Sequence, residues 1–99
     1  MAEIQSLLVT ETLYFIDKLV DKAKVTIDGN VLEKDIYKSK IQGDTLRKYV
    51  YLQSEKGQVT RAALVDSQGR ELYAKELNYQ KGNQGFMIVF PITQKIEVK

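Results

Sequence analysis

Apolar and polar residues alternate along most of this chain, which is the pattern of half-buried β-strands. The stretch from Val59 to Leu77 shows it well, because two strand-forming runs flank Asp66-Ser67-Gln68-Gly69. Three loop residues ending in glycine suit a hairpin made of a type I turn and a left-handed residue, since glycine takes positive φ without a Cβ clash. The sequence therefore predicts a hairpin around residues 66–69.

Other turn signals divide the rest of the chain into strands. Ser54-Glu55-Lys56-Gly57 has the same chemistry and predicts a hairpin that joins residues 46–53 to residues 58–66. Asp28-Gly29 predicts a two-residue type I′ hairpin after the alternating run 24–27.

The segment between these turns is polar. Residues 34–41 are rich in lysine, which is typical of an edge strand, and Gln42-Gly43-Asp44 predicts the turn that follows. In the next strand, Leu46, Val50 and Leu52 share one face, while Arg47, Tyr49 and Tyr51 share the other.

The last strand is predicted over residues 86–98, after a polar loop at residues 78–84. Its even positions are apolar with one exception, Gln94: Phe86, Ile88, Phe90, Ile92, Ile96 and Val98. Met87 and Val89 make the opposite face apolar too, so that face is covered either by the N-terminal helix, which we favour, or by a subunit contact. Pro91 cannot donate to a ladder and predicts an unpaired side, a bulge or a break.

The N-terminal segment has two readings. Leu13, Ile16, Val20 and Ala23 fall on one helical face, which predicts a helix over residues 10–23 with Thr10 as its N-cap. The β-branched and aromatic content of residues 7–16 would instead suit a strand. We favour the helix because of its periodicity. The fold class expected is mainly β with one N-terminal helix, an antiparallel meander folded as a small sandwich or partly open barrel.

Composition restricts the chemistry. The 99 residues fit a single β-rich domain, 1–99, and the net charge of +2 is too small to imply a polyanion partner. The chain has no Cys and no His, so it lacks disulfides, thiolate ligands and the commonest general base. Asp28, Asp44, Glu55 and Asp66 fall in turns, where carboxylates bond backbone N–H groups. We therefore expect no catalytic, metal or cofactor site.

Localisation is predicted from two features of the sequence, its N-terminal residues and its longest apolar runs. Residues 1–5 lack the basic start and apolar core of a signal peptide, and no apolar run approaches the roughly 18 residues that span a bilayer. We therefore expect the protein to fold in a cytoplasm, and we expect no association with a membrane.

Tyrosines supply the candidate binding surface. Tyr37, Tyr49, Tyr51 and Tyr73 lie on or near the polar faces of their strands and alternate with basic residues: Lys34, Lys38, Arg47, Lys48 and Lys75. Such a surface suits a protein interface, in which Tyr is enriched, or base stacking, or simple cross-strand pairing. With Met87 and Val89, these tyrosines are the predicted partner-binding residues.

Read in order, the chain resembles the N-terminal attachment domain of phage tail-collar and tail-fibre proteins. That family has a helix, an extended segment ending in Asp-Gly, a polar "Leu-x-x-Glu-Val-Tyr/Trp" stretch, two strands and a hairpin of the form "Arg-Glu-Ile-Gly-Leu-Phe-Asp-x-x-Gly-x-Leu-Ile-Ala". The counterparts here are the helix to Ala23, residues 24–29, residues 32–37 and the hairpin of residues 60–74.

The resemblance implies a non-enzymatic structural or adaptor protein of a phage or prophage tail or baseplate. The chain stops where a fibre shaft would begin, which favours a stand-alone accessory protein. Expected partners are other phage tail proteins and further copies of itself, with the host cytoplasm and then the virion as its locations. The alternatives are a small single-stranded nucleic-acid-binding β domain and a small intracellular phage inhibitor, although we expect the partner to be a protein and not a nucleic acid.

Overall fold

The computed structural model describes residues 6–93 and is mainly β, with one N-terminal helix. Helix α1 spans Ser6–Leu19. The seven strands are β1 (Lys22–Ile27), β2 (Asn30–Lys34), β3 (Lys38–Gln42), β4 (Thr45–Leu52), β5 (Gly57–Val65), β6 (Glu71–Lys81) and β7 (Phe86–Thr93). They form two antiparallel sheets in an open, sandwich-like arrangement, which confirms the predicted fold class.

The four-stranded sheet has the order β2-β1-β5-β6. The hairpin from β1 to β2 turns at Asp28 and Gly29, whose φ angles of 51° and 79° are both positive, as a type I′ turn requires. The hairpin from β5 to β6 turns at residues 66–69 as predicted, with Gly69 at φ 80° and its N–H donating to the Asp66 carbonyl at 3.0 Å.

The three-stranded sheet has the order β3-β4-β7. Gly43, at φ 62°, turns the chain from β3 into β4, in agreement with the predicted turn at residues 42–44. β7 pairs with β4 along its whole length, from Thr45 opposite Thr93 to Leu52 opposite Phe86.

The core lies between the inner faces of the two sheets. In the four-stranded sheet those positions are filled by Ala23, Val25, Ile27, Val59, Ala62 and Leu64, and in the three-stranded sheet by Val50, Leu52, Ile88 and Phe90. These apolar side chains alternate with outward-facing residues, because successive residues of a strand point to opposite faces.

The helix packs on β3 and β4. Lys48, on the inner face of β4 beside Val50, donates to the Asp17 carboxylate of α1 and to its carbonyl at 3.2 Å. Since Lys48 points inward, α1 lies on the inner side of the three-stranded sheet. The expectation that the helix covers the face of Met87 and Val89 is therefore wrong.

The bounds of the helix also differ from the prediction. The strand reading of residues 7–16 is wrong, but the helix begins at Ser6, so Thr10 lies within it and is not the N-cap. It ends at Leu19 because the next residues pair with β5: the Asp21 N–H donates to the Val65 carbonyl at 2.8 Å. Ala23 belongs to β1 and is fully buried there.

Residues 54–57 do not form a hairpin. β4 and β5 lie in different sheets, so this segment carries the chain from one sheet to the other. Gly57 has φ 132° and lies against the first hairpin, where the Gln58 N–H donates to the Asp28 carboxylate at 2.9 Å. The predicted pairing of β4 with β5 is therefore wrong.

Two segments predicted as single units are divided differently. Residues 34–41 are split, since β2 ends at Lys34 and β3 starts at Lys38, although both strands do lie at sheet edges. The polar loop predicted at residues 78–84 begins only after Lys81, because residues 78–81 continue β6 and pair with the start of β5.

β7 confirms the predicted phase of the last strand. Ile88 and Phe90 are buried, and Phe86 and Ile92 are partly buried against the core. The Val89 carbonyl accepts a hydrogen bond from Lys75, so this carbonyl points away from β4. Backbone groups two residues apart in a strand point to the same side, so the backbone nitrogen of Pro91 also faces this free edge. The missing N–H of Pro91 therefore breaks no ladder. Ile96 and Val98 lie outside the described residues.

Candidate partner-binding face

The outer face of the three-stranded sheet gathers five of the six predicted partner-binding residues. Tyr49 pairs directly with Val89, and Tyr51 with Met87, so the four side chains lie on one face of two neighbouring strands. Tyr37, just before β3, lies against the Tyr51 ring with 5.4 Å between centroids. We call these five residues the tyrosine face.

Tyr37 and Tyr51 also wall a groove between the ends of the two sheets. Its volume is about 570 Å³, and its lining is mixed, including Lys22, Lys34 and Asp35 beside the two rings. Tyr37 is 61% exposed, although it is anchored by its N–H, which donates to the Tyr49 carbonyl at 2.8 Å. An exposed aromatic ring on a fixed backbone is a feature typical of protein interfaces.

Gly85 gives the Tyr51 ring its space. A Cβ at this position would overlap the Tyr51 hydroxyl and come within 2.8 Å of the ring carbon Cε1. The Tyr51 side chain therefore lies over the loop that precedes β7. Its position depends on a glycine that the sequence pattern alone did not single out.

The face is basic as well as aromatic. Lys38, Lys40 and Arg47 lie on the same side of the sheet as Tyr49, and the Lys38 ammonium is 5.9 Å from the centre of the Tyr49 ring, a cation–π distance. The three strands of this sheet contain no Asp or Glu. The face thus presents cations with no carboxylate from its own strands to neutralise them.

Tyr73 does not belong to this face. It lies on the inner side of β6, where its ring meets Phe90 edge to face with 5.3 Å between centroids. The prediction of Tyr73 as a surface residue is wrong, because its place in the alternation of β6 puts it with Leu77 and Tyr79, which pack on the core.

Two lysines assigned to the basic surface also point inward. Lys48 is 4% exposed and bonds Asp17 and the Ser39 hydroxyl, the latter at 2.8 Å. Lys75 lies 5.4 Å from the centre of the Phe90 ring and donates to the Val89 carbonyl on the free edge of β7. The alternation along each strand indicates that both lysines point inward; Lys48, for example, shares its phase with the buried residues Leu46 and Val50.

The turn carboxylates bond backbone and neighbouring side chains, as predicted. Asp66 accepts from the N–H groups of Arg70 and Gln68, each at 2.9 Å, and from the Arg70 guanidinium at 2.6 Å. The backbone N–H of Arg70, its guanidinium and the N–H of Gln68 together hold the pKa of Asp66 below its ordinary 3.8. Such a carboxylate stays ionised and is a poor general acid at neutral pH.

Glu55 is committed in the same way. Its carboxylate accepts from Lys34 at 2.6 Å and from the Gln53 N–H at 3.0 Å, and the hydrogen bond from Lys34 lowers its pKa from 4.5. This pair joins the end of β2 to the segment after β4, so it ties the two sheets together beside the groove.

Within residues 6–93 the carboxylates are dispersed, and no three of them come together as a metal would require. In the part of the chain that the structure describes, no helix is long and apolar enough to cross a bilayer.

No family model, curated protein or solved structure matches the chain.

Proposed function

We propose that this protein is a non-enzymatic structural or adaptor protein of a phage or prophage tail or baseplate, and that it acts through protein contact at the tyrosine face. The proposal joins the resemblance of the whole sequence to tail attachment domains with the gathering of Tyr37, Tyr49, Tyr51, Met87 and Val89 on one exposed surface. That gathering carries the proposal, because residues from three separate segments meet there.

The chemistry of the face defines the partner. Tyr and Met supply apolar contact area, while Lys38, Lys40 and Arg47 surround them without a carboxylate in the same strands. A complementary surface is therefore apolar at its centre and acidic at its rim, since charge complementarity speeds association and selects the partner. Association should weaken moderately as salt screens the rim.

Mass spectrometry of purified phage particles tests the assignment to the virion. The protein should be present in particles at a fixed ratio to the other tail proteins. If it is abundant in infected cells and absent from purified particles, the virion assignment is wrong and an intracellular inhibitor takes its place.

A variant pair tests the face itself. Tyr49→Ala in the phage genome should reduce incorporation into particles, whereas Tyr14→Ala should not, because Tyr14 is a tyrosine on α1, 49% exposed, away from the tyrosine face. Both variants should melt as the parent does. Equal incorporation of the two would exclude the face as the partner contact.

Single-stranded nucleic acid is the second candidate, and one observation favours it. Tyr49 and Tyr51 stand beside Lys38, Lys40 and Arg47 on a surface whose strands lack carboxylates, which suits stacked bases and a phosphate backbone. Binding to a labelled oligonucleotide should then fall steeply with salt, as release of counterions requires. No binding at about 50 mM salt would remove this candidate.

A further inference from the structure

Helix α1 has two apolar sides, and only one of them is covered by the sheets. Leu13 is fully buried, whereas Leu8, Phe15 and Leu19 are 53%, 64% and 41% exposed. At about 100° of rotation per residue, these three positions fall together on the far side of the helix from Leu13. We call Leu8, Thr12, Phe15 and Leu19 the outer stripe.

Thr12 completes the stripe without breaking its apolar character. Its hydroxyl donates to the Leu8 carbonyl at 2.8 Å, one turn earlier in the same helix. The polar group is thus satisfied within the helix, and the rest of the side chain is left for contact. The spacing of the stripe, four, three and four residues, is that of the d and a positions of a coiled coil.

Two opposite charges flank this stripe on one side. Glu11 and Lys18 are seven residues apart, so they occupy equivalent positions of successive heptads, next to the stripe. If a second α1 packs antiparallel on the first, Leu8 faces Leu19 of the partner copy and Phe15 faces its Thr12. The same alignment brings Glu11 beside Lys18 of the partner copy, and Lys18 beside its Glu11.

We propose that the outer stripe is the contact between two copies of this chain, with the two α1 helices antiparallel. The antiparallel direction follows from the charges, since it makes two attractive pairs, whereas a parallel pair sets Glu11 and Lys18 of the partner copy on opposite sides of the contact and makes none. A two-fold contact of this kind is self-complementary and closed, so the association ends at the dimer.

This contact is independent of the proposed function. α1 lies on the inner side of the three-stranded sheet, through Asp17 and Lys48, and the tyrosine face is the outer side of that sheet. Pairing through α1 therefore leaves both tyrosine faces of the dimer free. A dimer then offers two equivalent faces and gains avidity toward a repeated partner such as a ring of identical subunits.

Sedimentation velocity over a range of concentrations tests the proposal. The parent chain should show a reversible monomer–dimer equilibrium, and Phe15→Glu should be monomeric throughout. Val31→Glu is the matched control, since Val31 is an apolar residue of similar exposure, 60%, on β2. The control should dimerise as the parent does. A monomeric parent, or a Phe15→Glu variant that still dimerises, would overturn the proposal.

Charge exchange tests the direction of the helices. Glu11→Lys alone and Lys18→Glu alone each replace two attractive pairs by two repulsive ones, and each should raise the dissociation constant about tenfold. The double variant Glu11→Lys/Lys18→Glu re-forms both pairs in the antiparallel alignment and should restore the parent constant. A double variant as weak as the single variants would overturn the antiparallel contact. Thermal melts of every variant identify any loss caused by unfolding.

Discussion

At the scale of single residues, three glycines illustrate different demands on the backbone. Gly69 has φ 80° in an open turn, where a Cβ would come no closer than 3.8 Å to Lys24. Gly57 has φ 132°, and a Cβ there would overlap the Asp28 carboxylate and approach Ile27 Cγ2 to 2.8 Å. Gly82 has no positive φ and open space around it. Of these three glycines, only Gly57 combines a positive φ with too little space for a Cβ atom.

Alanine at these three positions should have graded effects on the free energy of unfolding. Gly69→Ala should cost about 1 kcal/mol, the strain of a left-handed residue with a Cβ. Gly57→Ala should cost more, because strain and collision with the first hairpin add, and Gly82→Ala should cost little. Urea melts of the three variants measure the order. Equal losses at residues 57 and 82 would contradict the close approach at Gly57.

A second residue-scale prediction concerns acid. Because the pKa of Asp66 is lowered from 3.8 in the folded state, its ionised form stabilises the fold above pH 3.8, and this stabilisation is lost as the pH falls through the lower folded value. Asp66→Asn should be less stable than the parent at neutral pH. It should also lose less stability on acidification.

Urea melts at a series of pH values compare the two proteins. The difference in unfolding free energy between parent and Asp66→Asn should shrink as the pH drops below 3.8. A difference that is constant with pH would mean that the charge of Asp66 contributes nothing to the turn.

At the scale of elements, one ion pair attaches the helix to the sheets. Lys48 is almost fully buried, and its ammonium is satisfied by the Asp17 carboxylate, the Asp17 carbonyl and the Ser39 hydroxyl. Asp17→Ala should cost about 2–3 kcal/mol, less than a fully buried pair, because the Asp17 side chain is 30% exposed. Alanine is the better helix former, so the loss cannot come from helix propensity.

Lys48→Met is the paired variant, since it removes the buried charge and keeps an apolar side chain of similar length. It should cost less than Asp17→Ala, because Asp17 is then left partly in water and no ammonium is stranded. Urea melts followed by circular dichroism give both values. The reverse order would mean that Lys48 is stabilised by its other two partners and not by the helix.

The two faces of β7 should differ sharply in their contribution to folding. Phe90 is fully buried, with its ring against Tyr73 and Lys75 of β6, so Phe90→Ala should cost about 3–5 kcal/mol. Pro91→Ala, at the next residue, should change stability little, because Pro91 is exposed and faces the free edge. Similar losses for both in urea melts would contradict the phase of the strand.

At the scale of the whole molecule, Met87 and Val89 link folding to binding. They lie on the tyrosine face, with Met87 38% exposed, and neither belongs to the buried core. Met87→Thr with Val89→Thr should leave a cooperative thermal melt, since threonine suits a half-exposed strand. Incorporation into particles should fall, because the centre of the face becomes polar.

This double variant also separates the two proposed contacts. Sedimentation velocity should find its dimer unchanged, because that contact uses the outer stripe of α1. If the dimer is lost instead, copies associate through the tyrosine face and not through the helix. If the protein unfolds, the tyrosine face is part of the core.

Much of the local structure was predictable from the sequence. Asp28-Gly29 and the segment 66–69 predicted two turns, because each supplies residues that accept positive φ where the turn needs it: Asp28 and Gly29 in the first and Gly69 in the second. The alternation of Ile88 and Phe90 with Met87 and Val89 fixed which face of β7 is buried, since a strand has a period of two. The same alternation placed Tyr49 and Tyr51 on one face of β4, but only the pairing of β4 with β7 brought Met87 and Val89 beside them.

The pairing of strands was decided only by tertiary structure. Residues 54–57 have the chemistry of a hairpin, yet β4 pairs with β7 and β5 with β1, because a turn fixes the direction of the chain and not the sheet that it enters. The charge of Lys48 suggested a surface residue, whereas its phase in β4 placed it inward. The fold makes that position possible because it brings the Asp17 carboxylate to the ammonium group. Local periodicity is set by covalent geometry, whereas long-range pairing is set by which arrangement buries the most apolar surface and satisfies the most polar groups, and that choice involves the whole chain.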